Sequence, residues 1–382
     1  MANLLTSGLA YNPYFYVQEA LTVLYKRLGM AFYVKRDLAE GKASGTGDTI
    51  QVRRPQAFTT AAMPIAEASF ADVSPHYDNL VISEWRGQGF KLTDKETTLT
   101  PDVFVRDHIT PVAASIADKI DQDLSSLALE VPWIVEDDAT TPTNDFAAMR
   151  KTLFDNKAPL VNPIEYAYMT DGVLQERYEK STTFVQANTA GDQSLQRDGQ
   201  LGVKFGFRIF PNQNAPTAAA GTLSTTTLLT NGAFTKGATS VNLDAATLTG
   251  IIRRGNVLTI TGDTQKYAVK ADVTASGNAL ASVTISPPLA ADVADGVTVT
   301  VDQTASTSTG IAFHRDAFAL VMQPLSPAGP GILTATVQDP ITGLTLRSRV
   351  WGSGGLGATI WALDALWGTK TLNPNLAVRL RI

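Results

Sequence analysis

His76, His108 and His314 are the only histidines in this 382-residue chain, and they are the first candidates for acid–base or metal chemistry. Each falls in a different segment. No two stand at metal-ligand spacing, and no GxSxG turn is present to expose a serine nucleophile. Cysteine is absent, which removes disulfides, thiolate metal sites and a cysteine nucleophile together. One glycine run could hold a phosphate: Gly352-Ser353-Gly354-Gly355-Leu356-Gly357 matches GxGxxG and follows a strand-like segment. A dinucleotide fold also needs a second strand ending in an acid about 20 residues later. Here the last acid is Asp364, in a stretch that reads as a short helix (Ala358–Leu366), so the glycines read as a flexible turn. The earlier run GKASGTGD (Gly41–Asp48) lacks the residue order of a phosphate loop and leads into a strand instead of a helix. No catalytic residue, metal site or cofactor site is expected.

Composition narrows the alternatives. The length suits two or more domains, and 44% apolar residues can bury sizeable cores. Charged residues make up 18%, below the roughly 25% of average globular proteins, which suits a surface largely covered by partners. The net charge of −5 supplies no basic footprint for nucleic acid. The opening MANLLTSGLAYNPYFYV has no basic region followed by an apolar run, and no apolar stretch is long enough to span a membrane. A soluble cytoplasmic product is expected.

The elements follow from periodicity. Asn12–Gly29 reads as a helix, serving equally as a core helix or as an arm on a neighbouring subunit. Met30–Lys35 reads as a short strand. Thr49–Phe58 and Asn79–Thr93 alternate apolar and polar residues, and together describe an extended hairpin that needs a partner surface. On it Arg53 and Arg54 would oppose Glu84 and Arg86, either as a solubilising edge or as inter-subunit ion pairs. Thr100–Val131 is the strongest helix, with apolar residues three or four apart from Ile109 to Val131, and Pro111 either kinking it or marking its start. Asp107, Asp118, Asp121 and Asp123 give it an acidic outer face, for which a solvated surface is the simplest reading. Asn144–Lys157 reads as a helix, Pro163–Lys180 as strand, turn and helix, and Leu195–Phe210 as a hairpin.

A change of texture follows. Thr217–Thr309 is a Thr, Ala, Ser, Val and Gly mixture whose only Phe, Tyr or Trp residues are Phe234 and Tyr267. Strand-sized runs recur in it at sandwich or barrel spacing: Asn256–Thr261, Lys266–Val273, Ala281–Ser286 and Gly296–Asp302. The chain then restarts as GIAFHRDAFALVM (Gly310–Met322) and closes with strands ILTATVQD, LTLRSRVW and LAVRLRI. The stretch reads as a β-domain spliced into a host, which requires entry and exit points close together.

In that order the segments resemble the Hong Kong 97-like capsid fold of tailed-phage major capsid proteins. Within it they are similar to the short-tailed P-twenty-two-type coat proteins that carry an inserted β-barrel. The resemblance rests on IIRRGNVLTITGD (Ile251–Asp263) followed by SVTISPPL (Ser282–Leu289), on GIAFHRDAFALVM, and on ALWGTKTLNPNLAVRLRI (Ala365–Ile382). It implies an α+β fold with an N-terminal arm (1–40), an extended loop (41–95) and a peripheral domain with the spine helix (96–160 and 333–360). An axial domain (161–216, 310–332 and 361–382) and the inserted barrel (217–309) complete it. It further implies hexamers and pentamers in an icosahedral shell built with scaffolding protein and a portal. Decoration protein would be an optional partner, packaged double-stranded DNA would be enclosed without specific contacts by a shell lined in part by the acidic face of Asp107, Asp118, Asp121 and Asp123, and no membrane would be involved. Lys42 lies where some members of the fold crosslink, but no crosslink is expected. Another phage structural protein (a decoration or tail component) and a nucleotide-dependent enzyme are the alternatives.

Overall fold

The computed structural model describes residues 13–36, 47–54, 63, 76–93, 108–160, 165–186, 199, 201–339, 342–353 and 357–382. They form two compact units, one from Met1–Tyr25, Arg36–Ile116 and Leu320–Lys370, the other from Lys26–Lys35, Ala117–Ala319 and Thr371–Ile382.

In the first unit the helix Pro13–Arg27 buries Val17, Ala20 and Leu24, spaced as one helical stripe. In the second unit the strand expected at Met30–Lys35 is instead a 3₁₀ turn at Met30–Phe32, whose first N–H goes to the Asp121 carboxylate, and Lys35 makes an isolated bridge to Ala319. The expected hairpin is also divided. Thr49–Arg54 pairs with His76–Val81, while Glu84–Thr93 departs to pair with the long strand Ala358–Thr371. The break falls at Ile82, whose N–H donates to the Asp48 carbonyl (2.8 Å). Ala358–Thr371 was expected to contain a short helix at Ala358–Leu366. It is a strand of 14 residues paired on both sides over Ala358–Asp364, with Glu84–Thr93 on one side and Thr345–Ser353 on the other. Its Ala and Leu content favours helix, and two-sided pairing overrides that weak preference. Leu333–Gln338 and Phe318–Met322 complete this five-stranded sheet.

The strongest helix runs from Thr110 to Ser126, about 25 Å at roughly 1.5 Å per residue. Pro111 stands in its first turn, where a missing N–H costs no hydrogen bond. Residues 100–107 lie outside the described part.

The second unit holds a mixed six-stranded sheet in the order Ile134–Glu136, Ala377–Arg381, Thr309–His314, Tyr166–Thr170, Phe207–Pro211 and Val203–Lys204. The helix Pro142–Asp155 lays Phe146, Met149 and Leu153 on it, joined by Leu174 and Tyr178 from the helix Gly172–Lys180. The latter helix starts at Asp171, whose carboxylate accepts the Leu174 N–H at 2.9 Å. Gly310 sits where a Cβ would lie 2.4 Å from Tyr168 Oη and 2.9 Å from Leu174 Cδ1, so only glycine lets this strand close over the core.

Between two strands of that sheet the chain forms a closed barrel in the order Val257–Ile260, Lys266–Val269, Ala279–Ser286, Ser240–Asp244, Thr227–Thr230 and Thr298–Asp302. Side chains alternate inward and outward, and Leu228, Val241, Leu243, Leu258, Ile260, Tyr267, Val283 and Val299 fill the interior. Two of these strands, Thr227–Thr230 and Ser240–Asp244, go unrecognised in sequence because four or five residues with two apolar side chains each give little pattern to read.

Gly310→Ala should lower stability by about 1–3 kcal/mol through overpacking, whereas Gly352→Ala, with nothing within 4 Å of its added Cβ, should stay within about 0.5 kcal/mol. Denaturant titration of both variants distinguishes them, and equal losses would remove the close approach as the reason for Gly310.

Candidate functional site

No group of three or more His, Asp or Glu side chains among the described residues could hold a metal ion. His76 lies in a strand, the His108 ring is 5.2 Å from that of Phe90, and His314 is buried. His314 Nδ1 accepts the Asp316 N–H (3.2 Å), which leaves Nε2 to donate to Glu165 Oε2 (2.9 Å). That geometry is a structural clasp. The GxGxxG run joins two paired strands, with Ser353 opposite Ala358, so no helix follows it to receive a phosphate.

What the structure offers instead is buried polar nodes that hold strand edges and elements in place. In the first unit Asp364, 1% exposed, accepts from Arg347 Nε (3.0 Å), Arg347 Nη2 (2.5 Å) and Trp85 Nε1 (3.1 Å), with Arg349 Nε at 3.2 Å. Trp85 belongs to Glu84–Thr93, so this node pins that strand to the sheet. Two glycines allow the approach: a Cβ on Gly87 would lie 2.7 Å from Asp364 Cβ, and one on Gly89 would lie 2.4 Å from the Trp361 carbonyl.

The four charges expected to oppose one another on the hairpin are not brought together. Arg53 pairs in register with Tyr77 and Arg54 with His76, whereas Glu84 and Arg86 face Trp367 and Ala365 on another sheet. Alternation fixes which face a residue takes but not which strand it pairs with. Glu84 and Arg86 bond each other at 2.9 Å, a solvent-exposed pair of the kind that contributes about 0–1 kcal/mol.

The acidic face of the long helix is also reduced. Asp107 lies outside the described residues, and Asp118 is exposed as expected. Asp123 is bonded to Lys119 at 2.6 Å. Asp121 is 3% exposed and accepts the Met30 N–H (2.8 Å), the Gly29 N–H (3.3 Å) and Asn214 Nδ2 (3.3 Å). It caps the 3₁₀ turn and so belongs to the interior. Counting acids along a helix cannot reveal this, because it depends on a turn 91 residues away.

The seam between barrel and sheet carries a further set of polar contacts. Arg254 Nη2 donates to the Ser126 carbonyl (2.9 Å), satisfying an orphan acceptor in the last turn of the long helix. Glu130, just beyond, accepts the Thr371 hydroxyl at 2.9 Å and lies 3.6 Å from Arg254 and 3.4 Å from Lys270. Gln265 and Asn375 exchange amide hydrogen bonds of 3.1 Å each, and Trp133 Nε1 donates to Asn375 at 3.0 Å. Arg381 pairs with Glu136 and, at 2.9 Å, with Asp302. Arg379 donates to the Gly255 carbonyl (2.8 Å); burial and the neighbouring Arg381 charge push its guanidinium down to about 9. These roles escape sequence reading. The one signal is the Arg-x-Arg spacing in Ala377–Arg381, which sets two cations on one side of an otherwise apolar strand.

A last node lies under the helix Pro142–Asp155. Burial raises the Asp145 carboxyl from 3.8 to about 6, although the Asp138 N–H donates to it at 2.8 Å. Among the described residues, no helix is long and apolar enough to cross a membrane.

No family model matches the sequence, and no curated protein matches it. Solved structures do align. A chain from Mycobacterium phage Che8 is 14% identical, with TM-score 0.51 over 92% of this chain and 90% of that one. A chain in the capsid of Cyanophage P-SCSP1u is 12% identical, with TM-score 0.48 over 91% and 86%. One in the mature capsid of bacteriophage PhiM1 is 12% identical, with TM-score 0.44 over 88% and 82%. At such identities the likeness to the Che8 chain is one of fold.

Asp121→Ala should cost about 1–3 kcal/mol, since it strips acceptors from buried N–H groups, and Asp118→Ala less than about 0.5 kcal/mol. Comparable losses in thermal melts would return Asp121 to the surface. Asp145 carries a pH signature. Between 3.8 and about 6 the folded chain holds a proton that the unfolded chain releases, so this group makes stability fall as pH rises through that window. Asp145→Asn keeps an acceptor for Asp138 and should flatten the slope of stability from about pH 4 to 6. An unchanged slope would assign the pH dependence to other groups.

Proposed function

We propose that this chain is the major capsid protein of a tailed bacteriophage, a structural and non-enzymatic subunit of the Hong Kong 97-like fold. The observation that carries the proposal is the fold shared with the Mycobacterium phage Che8 chain over about nine-tenths of both chains. The segment order and motifs of the sequence point the same way. In this reading the long helix is the spine, and Thr49–Arg54, His76–Val81 and Glu84–Thr93 belong to the extended loop that reaches a neighbour. The residues 217–309 are the inserted domain. Copies assemble as hexamers and pentamers around scaffolding protein, with a portal at one vertex, in the host cytoplasm. The finished shell is the virion's, and it encloses double-stranded DNA.

Physical requirements favour a shell subunit. Obligate assemblies bury about 2,000–5,000 Å² per interface, and long strands held at one edge provide such area without enlarging the core. A lining that gripped many phosphates would hinder packaging, and a net charge of −5 avoids that. A decoration or tail component is the second reading; the 17-residue helix beside the sheets disfavours a mostly β protein of that kind.

Electron microscopy of the chain co-expressed with its scaffolding protein should show closed icosahedral shells, and a protein that stays monomeric under those conditions would count against the proposal. Removing residues 217–309 and joining Pro216 to Gly310 deletes Arg254 and Gly255 and so strips contacts from Ser126 and Arg379. Soluble yield or uniformity of particle size should fall several-fold. Normal particles in normal yield would show that the barrel is dispensable for assembly.

A further inference from the structure

An open cleft of about 480 Å³ lies within the second unit, between the end of the helix Pro142–Asp155 and the barrel residues Thr264–Lys266. Ligand sites commonly measure about 300–1,000 Å³. One wall is fixed by hydrogen bonds: Trp133 Nε1 donates to Asn375 (3.0 Å), and Gln265 and Asn375 bond each other through their amides (3.1 Å each). Ile134 adds apolar surface to the lining.

The helix ends in a Schellman motif, in which the Lys157 N–H donates to the Phe154 carbonyl (2.9 Å) and the Ala158 N–H to the Leu153 carbonyl (3.0 Å). The residue that turns left-handed in this motif is usually glycine. Here it is Lys157, at φ 58°. A side chain kept where it costs backbone strain points to a task for that side chain. Lys157 is exposed at the cleft, and no carboxylate among the described residues pairs with it. Lys266 lies on the barrel side, its amine 6.0 Å from the Trp133 ring centroid and likewise without a carboxylate partner among those residues. Asp155, the acid in the lining, is held by Lys151 at 2.8 Å. Asn156 adds an unmet donor, since its Nδ2 is buried and has no acceptor. A cation at a helix C-terminus gains from the macrodipole, but that gain accounts neither for Lys266 nor for the buried amide.

We propose that this cleft binds an acidic peptide segment of a partner protein, whose carboxylates pair with Lys157 and Lys266 while an oxygen of the segment accepts from Asn156 Nδ2. The size of the cleft suits several residues of a peptide and not one small ion. Nucleic acid fits it poorly. Two cations make no basic stripe, and Lys266 already lies over the indole on which a base would stack. The complementarity is one of charge: two unanswered lysines on a chain whose net charge is −5.

The test titrates tetraglutamate into the full chain by calorimetry at low ionic strength. Binding to a single site with a Kd of about 1 mM or tighter is expected. Lys266→Gln and Lys157→Gly should each weaken it about three- to tenfold. Glycine suits the left-handed position, so Lys157→Gly should melt at or above the wild-type midpoint, which separates lost binding from lost folding. Lys236→Gln, which removes an exposed barrel lysine outside the cleft, should bind as the wild type does. No binding, binding unchanged in both cleft variants, or equally tight binding of inorganic phosphate or oligothymidylate would overturn the assignment. Self-association in sedimentation runs that Lys266→Gln abolishes would overturn it too, and give the cleft to a second copy of this chain.

Discussion

The strand Ala377–Arg381 is the constraint on which the second unit depends. It pairs in parallel with Ile134–Glu136 on one side and antiparallel with Thr309–His314 on the other. It therefore joins three segments that are far apart in the chain. Its apolar residues Val378 and Leu380 enter the core with Phe146 and Tyr168, while Arg379 and Arg381 turn to the barrel. A strand with period-two alternation is suited to this, because one short run can serve an apolar core and a polar seam at once.

The same logic governs the other buried charges. Asp364 gathers two arginines and an indole N–H, Glu130 gathers a hydroxyl and two cations, and Asp121 gathers backbone N–H groups. Replacing a whole node with apolar side chains can leave stability unchanged or improved, whereas removing one partner is costly because the other charge stays buried and unpaired. Each node fixes a relationship that packing alone leaves loose: the register of Glu84–Thr93, the docking of the barrel, the turn at Met30–Phe32.

The barrel is held to its host through several independent contacts instead of swinging on two linkers. Arg254 ends the long helix, Gln265 clasps Asn375, and Asp302 holds Arg381. The strands that lead into and out of the barrel, Phe207–Pro211 and Thr309–His314, flank the same strand, Tyr166–Thr170, which keeps entry and exit close together.

Much of this was legible in the sequence. The long helix, the strands Val257–Ile260, Lys266–Val269, Ala279–Ser286 and Thr298–Asp302, and the closing strand follow from periodicity and glycine placement, which act within a few residues. Other features were decided by tertiary structure. Ala358–Leu366 is a strand because partners flank it on both sides, and Asp121 is interior because a distant turn needs its carboxylate. Glu84 and Arg86 left Arg53 and Arg54 because Asp364 and two glycines draw their strand to another sheet. Local pattern determines what each segment can be. Which segment it meets, and whether a charge ends in solvent or in a buried node, depends on pairings that close only when the whole chain has folded.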